Sequence, residues 1–102
     1  MSEDLLNLVN IIRERKNKDK DKSYTSSLLS GGLSKCIDKM EEEFGELKEA
    51  LNDKSNEVHE AADTIYHILV TLEAANIKFE DVLQELENRK NQSGIEEKNN
   101  RK

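Results

Sequence analysis

The sequence predicts an all-α fold, a small bundle of four main helices completed by homodimerisation. Three observations carry that expectation. Large apolar residues recur at steps of three and four along most of the chain, no stretch alternates apolar with polar residues as a half-buried strand does, and the polar connections are short enough to make neighbouring helices antiparallel. The second copy is inferred from size. Only 34% of the 102 residues are hydrophobic, with two Phe, two Tyr and no Trp, so one chain buries a modest core.

Leu5, Leu8, Val9 and Ile12 define a first helix of roughly residues 3–16, with Ser2 as its candidate N-cap and Glu3 and Asp4 in its first turn. Asn17 to Lys22 interleaves Lys with Asn and Asp, offers nothing to bury and reads as a solvated loop. Ser23-Tyr24-Thr25-Ser26-Ser27-Leu28-Leu29 opens a short turn or helix that Gly31-Gly32 stops. Leu33, Ile37, Met40, Phe44, Leu47 and Leu51 then alternate steps of four and three, one stripe on a helix of roughly 33–51 that wants a helical partner. Asn52 to Asn56 is a polar turn holding capping residues for the next helix, roughly 55–75, on which Val58, Ala61, Ala62, Ile65, Leu69 and Leu72 share a face. Glu60, Asp63, His67, Val70 and Ala74 mix on its other side, so this helix is expected to be buried on two sides at the centre of the bundle. Asn76 can close it, and Phe79, Val82, Leu83 and Leu86 mark a last helix of roughly 79–90. Residues 91–102 carry one large apolar side chain, Ile95, and read as a tail of the same domain.

Composition excludes several functions. The longest apolar run, Ile68 to Val70, falls far short of the roughly 20 residues that span a bilayer, and the N-terminus lacks the basic segment and cleavage site of a secretory signal. A cytoplasmic protein with no membrane partner is expected. One cysteine, Cys36, can form neither an internal disulfide nor a thiolate metal cluster, and it reads as a small packed residue. The net charge of −6 argues against nucleic acid as a partner, because phosphate neutralisation needs a basic surface. The charge is nevertheless unevenly spread. Arg13 to Lys22 has six bases against three acids and Arg89 to Lys102 five against two, whereas Glu41 to Asp63 has nine carboxylates against two lysines. An acidic centre between basic flanks fits a cation site beside a phosphate site; it also fits ordinary helix-surface charge.

Within that centre, Glu43 and Glu46 are three apart and share a helix face, with Glu42 reaching Glu46 from the other flank. Glu60 and Asp63 repeat the spacing on the following helix. Antiparallel packing would bring four carboxylates together, a cluster that needs a cation or raised pKa values. Oxygen-only ligands with open positions suit Mg²⁺, which commonly completes its shell with water and substrate phosphate. E-x-x-E is equally at home on a solvated helix face, so neither pair decides the matter alone. His67 is expected to be a core histidine donating one ring nitrogen to a neighbour, since a hard cation prefers oxygen.

The pattern E-E-E-F-G-E at Glu41 to Glu46 with E-A-A-D at Glu60 to Asp63 resembles the all-α MazG-like nucleoside-triphosphate pyrophosphohydrolases. The flanks narrow the resemblance. Ser23-Tyr24-Thr25 with Leu28-Leu29 and Gly31-Gly32-Leu33, then E-A-A-D-x-x-Y-H-x-L-V through Val70, then Ser93-Gly94, Glu96-Glu97-Lys98 and Arg101-Lys102, are similar to the phosphoribosyl-ATP pyrophosphatases of histidine biosynthesis over nearly the whole chain. The resemblance implies Mg²⁺-dependent hydrolysis of 1-(5-phosphoribosyl)-ATP to 1-(5-phosphoribosyl)-AMP and pyrophosphate by a helical homodimer. It makes Glu43, Glu46, Glu60 and Asp63 the metal ligands, with Glu42 a further ligand or the group that orients the attacking water. Glu42, Glu43 and Glu46 are thus the catalytic candidates. Ser23, Tyr24 and Thr25 line the substrate, while Lys39, Lys98, Arg101 and Lys102 supply positive charge, the last three from a tail that folds over it.

The sequence departs from its relatives in lacking a lysine near Ser27 and in carrying Lys78 where a capping serine is usual. Some relatives are fused to the cyclohydrolase of the next step; here phosphoribosyl-AMP cyclohydrolase activity is expected on a separate protein. Two alternatives use the same residues differently: a general MazG-like pyrophosphohydrolase of nucleoside triphosphates, and a non-catalytic helical dimerisation module whose acidic face is mere surface.

Overall fold

A computed structural model describes residues 2–16, 18 and 23–90. Most of the Asn17 to Lys22 loop and all of the tail, 91–102, lie outside the described residues. Five helices follow in order: α1 (Ser2–Arg15), α2 (Tyr24–Ser30), α3 (Gly32–Asp53), α4 (Glu57–Ala74) and α5 (Phe79–Lys90), with no strand among the described residues. The all-α expectation holds, and the hydroxyl-rich segment between the first two long elements is a helix.

The boundaries have local causes. Ser23, in extended conformation, starts α2 by accepting the Ser26 N–H on its hydroxyl, a cap worth about 1 kcal/mol. Gly32 then bends the chain into α3 at φ 88, a conformation that costs an L side chain dearly. At the far end of α4, Asn76 (φ 61) takes the left-handed position while the Ile77 N–H bonds to the Leu72 carbonyl and the Asn76 N–H to Glu73. That is the paired closure of a Schellman motif, and Asn is the residue besides Gly that best tolerates it. The α3–α4 turn is less well suited to its sequence. Lys54 and Asn56 both sit at positive φ, and Asn56 makes no side-chain cap to α4. The capping expected of Asn52 to Asn56 is therefore absent, because the left-handed backbone at Asn56 differs from the extended one a capping side chain normally uses.

α3 and α4 form an antiparallel hairpin held by a repeat of seven. The Thr64 hydroxyl shares its hydrogen between the Glu60 carbonyl (2.8 Å) on its own helix and the Glu43 carbonyl (3.2 Å) across the gap; Thr71 does the same with His67 (2.7 Å) and Cys36 (3.2 Å). Small side chains face this contact: Cys36 and Ala50 are buried on α3, Thr64 and Thr71 on α4. The backbones approach closely as a result.

The core adjoins this contact, where Val9, Ile12, Leu28, Cys36, Leu69, Val70 and Phe79 gather from all five helices. Among the described residues most of the apolar stripe on α3 lacks the helical partner it wants; only Met40 and Leu47 on it are half-buried. Leu33, Ile37, Phe44 and Leu51 are 40–58% exposed, and on α4 Ile65 (49%) and Val58 (85%) are exposed too. The small-residue contact displaces these bulky side chains onto the outer surface of the hairpin. The expected burial of α4 on two sides holds along its C-terminal half, where Leu69 of the first face and His67 and Val70 of the second are buried, while Val58 and Ile65 of the first face stay exposed. Among the described residues no helix is long and apolar enough to cross a membrane.

At the opposite corner, Arg13 on α1 ties α4 and α5 together. It donates to Glu80 at 3.0 and 2.5 Å and lies 3.6 Å from Glu73. Lys16 adds contacts to the Glu73 carboxylate (3.5 Å) and to Asn76 (2.7 Å).

Candidate metal and substrate site

The threonine-locked hairpin sets the register of the acidic residues. With Thr64 opposite Glu43, Glu60 lies one turn back along α4 and comes level with the Glu43–Glu46 turn of α3. One carboxylate oxygen from each of Glu43, Glu46 and Glu60 lies within 4.8 Å of the others. Glu60 also belongs to a second group of the same tightness with His59 and Asp63, in which His59 Nε2 is 3.1 Å from Asp63. Three of the four predicted carboxylates therefore meet directly, and Asp63 joins them through Glu60.

Two atoms in this cluster are chemically incomplete. Glu43 Oε2 and Glu60 Oε2 are shielded from solvent and have no hydrogen-bond partner. Leaving a buried carboxylate oxygen without a partner is costly. Burial raises the Glu43 pKa from its ordinary value; Glu46 and Asp63 push the same way, while His67 opposes them. A hard cation answers each of these demands, supplying a partner to both oxygens and reversing the repulsion. The donor set passes that test.

Glu42 points elsewhere, pairing with Lys39 at 3.3 Å on the exposed face of α3. With Gly45, Glu46 and Glu49 it lines an open groove of ≈ 620 Å³ beside the carboxylates. A larger cleft of ≈ 690 Å³ lies at the Arg13–Glu73–Glu80 corner, away from this chemistry, and on its wall Arg13, Glu73 and Glu80 are already paired.

The S-Y-T segment arrives from α2. Ser23 spends its hydroxyl on the cap and on Ser26 (2.8 Å), and Thr25 is buried with its hydroxyl bonded to Tyr66. Tyr24 is 57% exposed, and its pKa is raised chiefly by desolvation; Lys39 acts against that rise, while Glu43, Tyr66 and Asp63 add to it, which puts the phenol in the field of the site. His67 is buried as expected, with Nδ1 on the Asp63 carbonyl at 2.8 Å. Cys36 is packed, and burial pushes its thiol up. Lys98, Arg101 and Lys102 lie outside the described residues. Sequence reasoning passed over His59, whose signal was its position one turn before Asp63.

A sequence model described as phosphoribosyl-ATP pyrophosphohydrolase matches residues 5–90, a span that takes in α2 to α5, all but the start of α1, and all the carboxylates of the site. This chain belongs to the phosphoribosyl-ATP pyrophosphohydrolase family. Similar proteins include a phosphoribosyl-ATP pyrophosphatase of Rhizobium etli, 42% identical over 95% of this chain and 92% of its own, and one of Paracoccus denitrificans, 42% identical over 93% and 90%. A histidine biosynthesis bifunctional protein HisIE of Helicobacter hepaticus is 48% identical over 93% of this chain but only 42% of its own length. The family's fold thus occurs both by itself and as part of a longer protein.

Proposed function

We propose that this chain is a Mg²⁺-dependent hydrolase that splits 1-(5-phosphoribosyl)-ATP into 1-(5-phosphoribosyl)-AMP and pyrophosphate in histidine biosynthesis, in the cytoplasm. One observation carries the reading. In a chain of this family, Glu43, Glu46 and Glu60 converge with two shielded oxygens unpartnered, an arrangement that a solvated helix face has no reason to adopt.

Glu43, Glu46, Glu60 and Asp63 would hold the ion, and oxygen donors favour Mg²⁺ over softer metals. When bound, a divalent cation supplies Lewis-acid neutralisation of charge on the polyphosphate. The remaining work falls to the chain itself. Hydrolysis of a phosphoric anhydride depends on alignment and charge more than on covalent help from the protein. Glu42 and Glu46, on the wall of the groove, are placed to accept hydrogen bonds from a water and orient it. Lys39 can exchange Glu42 for a substrate phosphate, and Lys98, Arg101 and Lys102 add positive charge from the tail.

The working unit is a homodimer. Leu33, Ile37, Phe44, Leu51, Val58 and Ile65 form an exposed apolar surface along the hairpin that a second copy would cover. Sedimentation giving a compact 11.7 kDa species at micromolar concentration would refute it.

The deciding assay compares phosphoribosyl-ATP with a panel of nucleoside triphosphates, with and without Mg²⁺, and identifies the products. Cation-dependent release of pyrophosphate, fastest from phosphoribosyl-ATP, is expected. Faster turnover of a plain triphosphate would move the assignment to the general pyrophosphohydrolases, and no turnover of either would leave the non-catalytic reading standing.

A further inference from the structure

Of the three side chains in the S-Y-T segment, Ser23 and Thr25 have their hydroxyls engaged inside the protein, and Tyr24 alone faces outward. Its orientation is set from α4. The Tyr24 hydroxyl lies 3.2 Å from Nε2 of His67, and the imidazole meets the Tyr24 and Tyr66 rings edge-on, with centroids at 6.0 and 5.3 Å. The other ring nitrogen, Nδ1, is 2.8 Å from the backbone carbonyl of Asp63. A carbonyl oxygen only accepts, so Nδ1 carries the hydrogen. In the neutral ring Nε2 is then an acceptor, and the Tyr24 O–H must donate to it. What the phenol oxygen offers outward is lone pairs.

We infer that His67 is a positioning residue that commits the Tyr24 proton and turns Tyr24 into a pure acceptor, matched to a hydrogen-bond donor on the nucleoside part of the substrate. Ionised phosphate oxygens are themselves acceptors and make no favourable pair with it. This inference rests on the proposed hydrolysis and divides the labour within it: cation and bases hold the polyphosphate, and Tyr24 reads the nucleoside. It also explains why the group that orients Tyr24 sits one turn after Asp63. Helix α4 then carries Glu60 and Asp63 together with the group that orients Tyr24, so the two ends of the substrate are referred to one frame.

The test measures KM and kcat for phosphoribosyl-ATP, and inhibition by inorganic pyrophosphate, in the wild type, Tyr24→Phe, His67→Leu, His67→Gln and the Tyr24→Phe/His67→Leu double variant. Tyr24→Phe is expected to raise KM about fivefold, the loss of one neutral hydrogen bond, with little change in kcat and none in pyrophosphate inhibition. His67→Leu should raise KM by a similar factor, His67→Gln, which keeps an acceptor near the Nε2 position, should restore most of it, and the double variant should be no worse than Tyr24→Phe alone. Weaker inhibition by pyrophosphate in Tyr24→Phe, to the same extent as the rise in KM, would overturn the inference, as would additive effects in the double variant. If His67→Leu does not fold, the Tyr24→Phe comparison of nucleotide with pyrophosphate decides alone, because that ring is exposed. Failure of the functional reading looks different: the wild type would release no pyrophosphate from phosphoribosyl-ATP.

Discussion

Acidic residues are used in two opposite ways at the two ends of this molecule. At the α1–α4–α5 corner Glu73 and Glu80 each have a cation beside them: Glu80 takes two hydrogen bonds from Arg13, and Glu73 lies near both Arg13 and Lys16. The Arg13 hydrogen bonds hold Glu80 down to about 2. On the α3–α4 hairpin, Glu43, Glu46 and Glu60 crowd one another, two of their oxygens lack a partner, and burial moves Glu43 in the other direction. The corner is electrostatically complete and serves the fold. The hairpin is incomplete, and what it lacks is positive charge.

The strongest way to break that contrast is to remove the residue common to both acidic groups. Glu60→Gln is expected to lower turnover of phosphoribosyl-ATP by about 100-fold or more, as loss of a preorganised electrostatic partner typically does. It should also abolish stabilisation by Mg²⁺, which for the wild type reaches about 2.7 kcal/mol when the free ion is 100 times its Kd. Thermal melts with and without the ion measure the second effect without any substrate. A Glu60→Gln protein that keeps both properties would reduce the hairpin acids to surface charge.

Paired neutralisations sharpen the comparison. Glu43→Gln should abolish activity yet raise the melting temperature of the cation-free protein, because it relieves repulsion and a desolvated charge. Arg13→Gln should do the reverse, lowering the melting temperature while kcat/KM stays within about twofold, since it strands Glu80 and leaves Glu73 with Lys16 alone but touches nothing at the site. If both variants lower stability, the two regions do not differ as argued.

The two regions also predict opposite responses to pH. Glu80 has its folded value below the ordinary 4.5, so the stability it contributes is present above 4.5 and is lost as pH falls toward 2. Glu43 has its folded value above 4.5, so in the absence of a cation the native state holds the proton longer and stability declines as pH rises upward from 4.5. Denaturant melts across both windows should show the acid-side slope vanish in Glu80→Gln and the decline above 4.5 vanish in Glu43→Gln.

The sequence announced some of this and concealed the rest for identifiable reasons. Helices were legible because their apolar residues repeat, and Glu43, Glu46 and Glu60 because i, i+3 spacing puts carboxylates on one face whatever the tertiary structure. The α3 stripe was legible as a helix face, but the residues that join α3 to α4 were not. Hydrophobic patterning responds to large residues such as Phe44 and Leu51, whereas α3 and α4 meet through Cys36, Ala50, Thr64 and Thr71, whose smallness leaves no periodic signal. The Tyr24–His67 contact joins positions 43 apart and depends on the bend at Gly32, a backbone angle that a residue pattern cannot supply. His59 beside Asp63 rests on a side-chain rotamer one turn away.

The smallest expected effect concerns the turn that holds the two halves of the hairpin in register. Lys54 ends α3 at φ 56, where a side chain costs roughly 1–2 kcal/mol relative to glycine's freedom. Lys54→Gly removes that cost but gives the unfolded chain more entropy to lose, so a net gain of about 0.5–1 kcal/mol is expected. The Ser55 N–H to Ala50 carbonyl bond that closes the helix (3.1 Å) is kept. Because Thr64 and Thr71 set the register of the acidic cluster independently of the turn, kcat/KM should stay within about twofold while the melting temperature rises. A large loss of activity in a more stable Lys54→Gly protein would mean that turn strain, rather than the threonine pair, positions Glu60 against Glu43 and Glu46.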